Sequence, residues 1–140
     1  MRGKFLRELI EKPKPWGREI WFAWTDKYAG KILEIKKGHR FSLQLHAQKT
    51  ETQFLMQGKA KLMIGNSPKK LKTIIMEAGD KVDIFQGTIH RLEALEDSLI
   101  FEVSTPELDD VIKLDDDYGR TGQGNDDKLD AKLSKKIKSK

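Results

Sequence analysis

The sequence predicts an all-β fold, an antiparallel barrel or jelly roll. Three observations carry that expectation. Strand-like runs recur along most of the chain, turn signals separate them at short intervals, and helical periodicity is scarce between them.

Taken in order, residues 1–14 are charged, and the spacing of Phe5, Leu6, Leu9 and Ile10 predicts a short helix ending before Pro13. From Trp16 the chain turns strand-like. Residues 19–24 are rich in aromatics, and 31–36 alternate apolar and polar side chains. Strands are expected at about 40–46, 51–57, 59–65, 71–76, 81–85, 89–95 and 98–104. Lys37-Gly38, Gln57-Gly58, Gly65 to Pro68, Ala78 to Asp80 and Gln86-Gly87 punctuate them. Asp109 to Leu114 reads as one last short strand. Beyond Arg120 the Gly, Gln, Asn, Asp and Lys content predicts a disordered basic tail, in which Leu129, Leu133 and Ile137 are spaced for a terminal helix. The expected organisation is a charged segment over 1–14, one domain over 15–120 and a tail over 121–140.

A chain of 140 residues is long enough for one sizeable core. It has no cysteine, so disulfides and thiolate metal sites are excluded. Met1 to Arg7 lacks the apolar run of a signal peptide and no stretch has a membrane-spanning length, so a soluble cytoplasmic protein is expected. The net charge of +5 sits at the ends: six Lys against three Asp in residues 121–140, and five Lys or Arg against two Glu in 1–14. The remainder is slightly acidic and lacks the basic-aromatic interleaving that grips single strands, which argues against nucleic acid as a partner.

Gln44, His46 and Glu51 stand in the pattern Gly38-x5-Gln44-x-His46-x4-Glu51-x6-Gly58, and His90 in Gly79-x5-Phe85-x-Gly87-x2-His90. Side chains alternate along a strand, so Gln44 and His46 share a face. A hairpin through residues 47–50 would return Glu51 beside them. A buried carboxylate there would be costly without a cation. A lone histidine is more often a satisfied core residue, but the amide two positions away adds a second lone-pair donor to the same face. Two nitrogens and two oxygens without sulfur suit a divalent Zn, Fe, Mn, Co or Ni ion. His39 has the opposite parity and is expected at the surface.

These paired spacings resemble the motifs of the cupin superfamily, with Gln44 where many members have a histidine, Phe85 for a usual proline and Ala94 for a usual asparagine. The Gln, His, Glu, His set is similar to that of phosphomannose isomerases. Further pieces resemble the cupin domain of type II mannose-6-phosphate isomerases: Lys14-Pro15-Trp16-Gly17, Lys31, Arg40-Phe41-Ser42-Leu43-Gln44-x-His46, Gly87-x2-His90-Arg91-Leu92-Glu93 and Asp116-Asp117-Tyr118-Gly119-Arg120. The likeness runs over about residues 12–120. It implies a cupin-type double-stranded β-helix, a zinc site and a sugar-phosphate substrate. Related sequences carry a His-rich stretch and a His-Trp where this chain has Ala47-Gln48 and Thr52-Gln53, which alters the cavity wall but not the ligand positions.

The function so implied is a metal-dependent sugar-phosphate isomerase, interconverting mannose 6-phosphate and fructose 6-phosphate through an enediol. Arg40 and Ser42 share parity with Gln44, so Arg40 is a candidate phosphate contact, with a rim salt bridge as the plain alternative. Lys31 is a candidate acid, base or phosphate ligand, or else a lysine whose stem covers apolar surface. Arg91 points away from His90 by alternation and is a rim candidate. Glu102 reads as a buried base or as the polar face of the last strand, and the tryptophans as core. The alternative functions are a cupin oxygenase using Fe or Mn, or a non-catalytic metal- or sugar-binding module. Gln as first ligand is less typical of oxygenases. The sequence has no Gly-rich nucleotide-binding stretch, so no guanylyltransferase activity is expected. A homodimer is compatible with this reading, and neither membrane nor nucleic acid is an expected partner.

Overall fold

The computed structural model describes residues 6–138, and strand dominates. In chain order the elements are β1 (Ile10–Lys14), β2 (Gly17–Trp24), β3 (Ala29–Ile35), β4 (Leu43–Leu45), β5 (Glu51–Gln57) and β6 (Lys59–Gly65). They continue with β7 (Lys72–Glu77), β8 (Lys81–Ile84), β9 (Ile89–Ala94), β10 (Ser98–Ser104), β11 (Ile112–Asp115), β12 (Gly122–Gln123) and α1 (Asp127–Lys138). They form two antiparallel six-stranded sheets, ordered β1-β2-β3-β10-β5-β8 and β12-β11-β4-β9-β6-β7. The sheets face each other as a jelly-roll barrel, as the strand pattern predicts.

Alternation along the strands explains where the interior is dry and where it is polar. Inward positions read Lys31-x-Leu33-x-Ile35 on β3, Glu51-x-Gln53-x-Leu55 on β5 and His90-x-Leu92-x-Ala94 on β9, all of them buried. Strand register lines these up in layers. Ile100 of β10 lies between Leu33 and Leu55, and Glu102 between Lys31 and Gln53. One end of the barrel is therefore an apolar plug of Trp16, Leu33, Ile35, Phe41, Leu55, Leu62, Leu92 and Ile100. Each fully buried Leu or Ile there contributes about 1.5–3 kcal/mol. That plug holds the other, polar end in shape. Gly58 closes the tight β5–β6 connection with φ of 98°, where a Cβ would come within 2.5 Å of the Asp97 carbonyl oxygen.

Three expectations change. Of the predicted N-terminal helix, residues 1–5 lie outside the described residues and 6–9 are not helical. Residues 10–14 form β1, paired with β2 through a turn at Pro15 and Trp16. Pro13 and Pro15 suit an edge strand and would break a helix. The tail is not disordered throughout. Asp126 caps α1 through the Leu129 amide at 3.1 Å, and Leu129, Asp130, Leu133 and Ser134 turn toward the barrel. Asp130 is 1% exposed and pairs with Lys14 and Arg120. Finally, β4 and β5 do not form a hairpin, because they belong to opposite sheets. The connection over 46–50 crosses the barrel instead. No described helix is long and apolar enough to cross a membrane.

Candidate metal centre

β4 and β9 pair so that Gln44 and His90 are direct neighbours, while His46 follows β4 by one residue. Gly87 adopts φ of 76° and its N–H donates to the His46 carbonyl at 2.8 Å, which fixes the turn leading into His90. Glu51 opens β5 on the facing sheet. The crossing thus sets its carboxylate against both imidazoles: Oε1 is 3.1 Å from His90 Nε2 and 3.4 Å from His46 Nε2. All three side chains are buried, and their ligand atoms lie within 4.8 Å of one another.

The protons are assigned by the carbonyls behind the rings. His46 Nδ1 lies 2.6 Å from the Asp110 carbonyl oxygen and His90 Nδ1 lies 3.1 Å from that of Thr88. A carbonyl only accepts, so each Nδ1 carries hydrogen and, in the neutral ring, each Nε2 presents a lone pair to Glu51. Glu51 Oε1 and His90 Nε2 have no hydrogen-bond partner. Lone pairs converging without a proton between them are what a divalent cation satisfies, and the backbone carbonyls supply the outer support that metal-bound histidines use. The residues fit a metal of the Zn, Fe, Mn, Co or Ni group. Gln44 stands at the edge of this set. Its Oε1 accepts from Ser42 Oγ at 2.7 Å, and its Nε2 is 3.5 Å from His46 Nε2. Turning the amide plane by half a revolution would offer Oε1 to the metal and an N–H to Ser42.

A second polar layer adjoins the first. Lys49 is 3.1 Å from Glu51 Oε2 and 3.7 Å from Glu102 Oε2, and Gln53 Nε2 donates to Glu102 Oε1 at 3.0 Å. Burial opposes ionisation of Glu51, but the Lys49 ammonium holds its carboxyl well below the usual carboxylate range. Burial and then the charge of Glu51 push Glu102 up to about 7. The Asp110 carboxylate accepts from the backbone N–H groups of Ala47, Gln48 and Lys49 at 3.1, 2.6 and 2.8 Å. It organises the crossing that carries His46 to Glu51.

Ser42, Gln44, His46, Lys49, Gln53 and Glu102 line a cavity of about 50 Å³ between the sheets. Its cations are Lys14, Lys31, Lys49, Lys113 and Arg120, against the carboxylates Glu19 and Glu102. Lys31 reaches inward, 3.2 Å from Glu19 and over the Trp21 ring. Arg40 does not line the cavity. Its guanidinium forks onto Asp117 at 2.8 and 2.9 Å, on the partly exposed outer side. Arg91 also lies away from the cavity, with Nε donating to the Phe41 carbonyl and Nη1 to Asp115. His39 is outside the cluster, bonded to Tyr118 Oη at 2.7 Å. Sequence reasoning did not single out Lys49, Asp110, Lys113 or Glu19. For Lys49 a signal existed, since it shares parity with Glu51 and Gln53. Asp110 acts from 61 to 64 residues away, and no local pattern marks it.

Comparison with known proteins gives a family and a fold. The family described as mannose-6-phosphate isomerase C-terminal matches residues 6–116. No curated protein matches the sequence. Among solved structures, the capsular polysaccharide assembling protein CapF from Staphylococcus aureus superposes with a TM-score of 0.65 at 20% identity, over 80% of this chain and 36% of that one. KdgF from a Halomonas species gives 0.63 at 19%, over 74% and 90%. Oxalate decarboxylase from Bacillus subtilis gives 0.66 at 16%, over 76% and 30%. The chain spans about a third of CapF and of the decarboxylase. At these identities the likeness is one of fold.

Proposed function

The chain belongs to the mannose-6-phosphate isomerase C-terminal family and has the cupin fold, and from that premise we propose that it is a metal-dependent aldose–ketose isomerase acting on mannose 6-phosphate and fructose 6-phosphate. One observation carries the reading. The buried cluster of His46, Glu51 and His90 adjoins a cavity whose lining is rich in cations, so the site suits a ligand that is both an oxygen donor and an anion.

His46, Glu51 and His90 would hold the metal, with Gln44 as a fourth donor, and zinc is the ion we assign. A bound divalent ion supplies Lewis-acid polarisation of the sugar's C1 and C2 oxygens. Glu102 faces the cavity, is fixed by Gln53, and lies outside the trio of metal-directed groups. It is assigned to carry the proton between C1 and C2. Lys31, its direct cross-strand neighbour, and Lys49 offset the charge that Glu102 gains and loses. Arg40 and Arg91 are committed to Asp117, Asp115 and the Phe41 carbonyl, so the phosphate contact is assigned to the cavity's own cations.

A second reading, a binding module for a small anion, is favoured by one measurement. A cavity of about 50 Å³ holds a few water molecules rather than a hexose. For the isomerase, the segments around Leu108 and Asn125 must part; they are joined by Asn125 Nδ2 to the Leu108 carbonyl at 3.2 Å and the Asn125 amide to Asp109 at 2.8 Å. The test is a coupled assay of the zinc-loaded protein with mannose 6-phosphate. Turnover lost in Glu102→Gln with zinc still bound is the expected result. No turnover of any hexose 6-phosphate by metal-replete protein would leave the binding module.

A further inference from the structure

Each charged group lining the cavity has an opposite charge within ion-pair distance, with one exception. Lys14 pairs with Asp130 at 2.8 Å, Lys31 with Glu19 at 3.2 Å, Lys49 with Glu51 at 3.1 Å, and Arg120 with Asp116 at 2.8 Å. Lys113 is 7% exposed and has no carboxylate within 4.0 Å among the described residues. Its Nζ donates to the Gly124 carbonyl at 3.0 Å and approaches Asn125 Oδ1 at 3.5 Å. Its direct contacts are thus two neutral oxygens, with Asp130 and Asp116 acting on the ammonium only from beyond ion-pair distance and Arg120 and Lys14 opposing them, and burying an ammonium without a paired charge is costly.

Position says what would repay it. Lys113 is the direct neighbour of Gln44 across β11 and β4, and Gln44 is the direct neighbour of His90 across β4 and β9. Paired residues share a sheet face, so Lys113 lies on the metal site's face, two strands from His90 and about 10 Å away at the backbone. That is the scale of one phosphorylated monosaccharide. Lys113, Arg120 and Asn125 also line an outer pocket of about 210 Å³ beneath α1.

We propose that Lys113 is the oxyanion-binding residue of this site, receiving the phosphate or carboxylate of a ligand whose other end lies at His46, Glu51 and His90. The assignment rests on the isomerase reading only for the identity of that anion as a sugar's 6-phosphate.

The full-length protein and its K113M variant, with K113Q as a second replacement, are compared by thermal shift and calorimetric titration with inorganic phosphate and, separately, acetate. Lys113-dependent binding of phosphate names a phosphoryl ligand, and of acetate a carboxylate. The midpoint concentration of the anion bound by wild type should rise roughly 10- to 150-fold in the variants. Their unliganded melting temperatures should equal or exceed that of wild type, since a buried unpaired charge has been removed. Equal midpoints in wild type and variants, no anion binding by wild type, or variants that only lose stability would overturn the assignment. Failure of the isomerase reading looks different: anion binding stays Lys113-dependent while mannose 6-phosphate is not turned over. Turnover by K113M with unchanged KM would sink the subsite and leave the isomerase standing.

Discussion

His90 Nε2 stands 3.1 Å from Oε1 of Glu51, and neither atom has a hydrogen-bond partner. Because His90 commits its Nδ1 hydrogen to the Thr88 carbonyl, the neutral ring has no proton to share with the carboxylate. A cation between them would resolve the contact. Replacing His46 or His90 by Ala should therefore remove most bound divalent metal, since three or four ligands leave little redundancy. His39→Ala, altering a residue bonded to Tyr118 instead, should leave the metal content unchanged. Elemental analysis of the three purified variants checks this; equal metal in all of them would refute the assignment.

Asp110 supports that centre without entering it. Its carboxylate holds three successive amide groups of the crossing, from Ala47 to Lys49, while its carbonyl receives His46 Nδ1. Asp110→Ala should lower metal affinity by roughly 10- to 100-fold, the usual cost of losing outer support for a ligand. It should also destabilise the fold by about 1.5–3 kcal/mol through loss of charge-assisted bonds. Competitive titration with a chelator and urea denaturation measure the two effects. Unaltered affinity would reduce Asp110 to a structural turn.

The cluster of His46, Glu51 and His90 was legible in the sequence because strand alternation and two glycine-spaced motifs are local signals. The strands from Glu51 to Gln57 and from Lys59 to Gly65 were legible for the same reason. What was hidden depends on distant partners. Arg40 shares parity with Gln44, yet Asp117, a residue 77 positions away, draws its guanidinium outward. Lys113 gains its meaning from pairing with Gln44, a register no window of sequence contains. The tail reads as solvated because its helix is held chiefly by Asp130 meeting Lys14 and Arg120.

Glu19 makes the polar end of the barrel sensitive to acid. Burial opposes its ionisation, but Lys31 and Lys14, with the Trp21 indole N–H, bring its pKa down to about 2 from the ordinary 4.5. A carboxylate depressed in the folded state contributes stability that is complete above about 4.5 and is lost as pH falls toward 2. The contribution is of the order of 3 kcal/mol. Wild type should thus lose stability more steeply than Glu19→Gln between pH 5 and pH 2.5, about the window those two values define. Urea midpoints across that range test it, and parallel curves would contradict it.

Asp130 fastens α1 to the barrel. Its two oxygens meet Lys14 Nζ at 2.8 Å and Arg120 Nη1 at 3.1 Å, with all three side chains at most 5% exposed. Among the described residues, removing the carboxylate leaves Lys14 with Glu19 alone, at 3.9 Å, and Arg120 with Asp116. Losing one partner of a buried ion pair costs about 3–5 kcal/mol, and the surviving partners place Asp130→Ala at the lower end of that range. The variant should also expose the amides of α1, because among the described side chains the helix otherwise turns inward only Leu129, Ala131, Leu133 and Ser134. Hydrogen exchange should therefore quicken in residues 127–136 and in β1 while β5 and β9 stay protected. Uniform acceleration across every strand would mean that α1 and the barrel unfold as one unit, and that Asp130 stabilises the whole domain and not the helix alone.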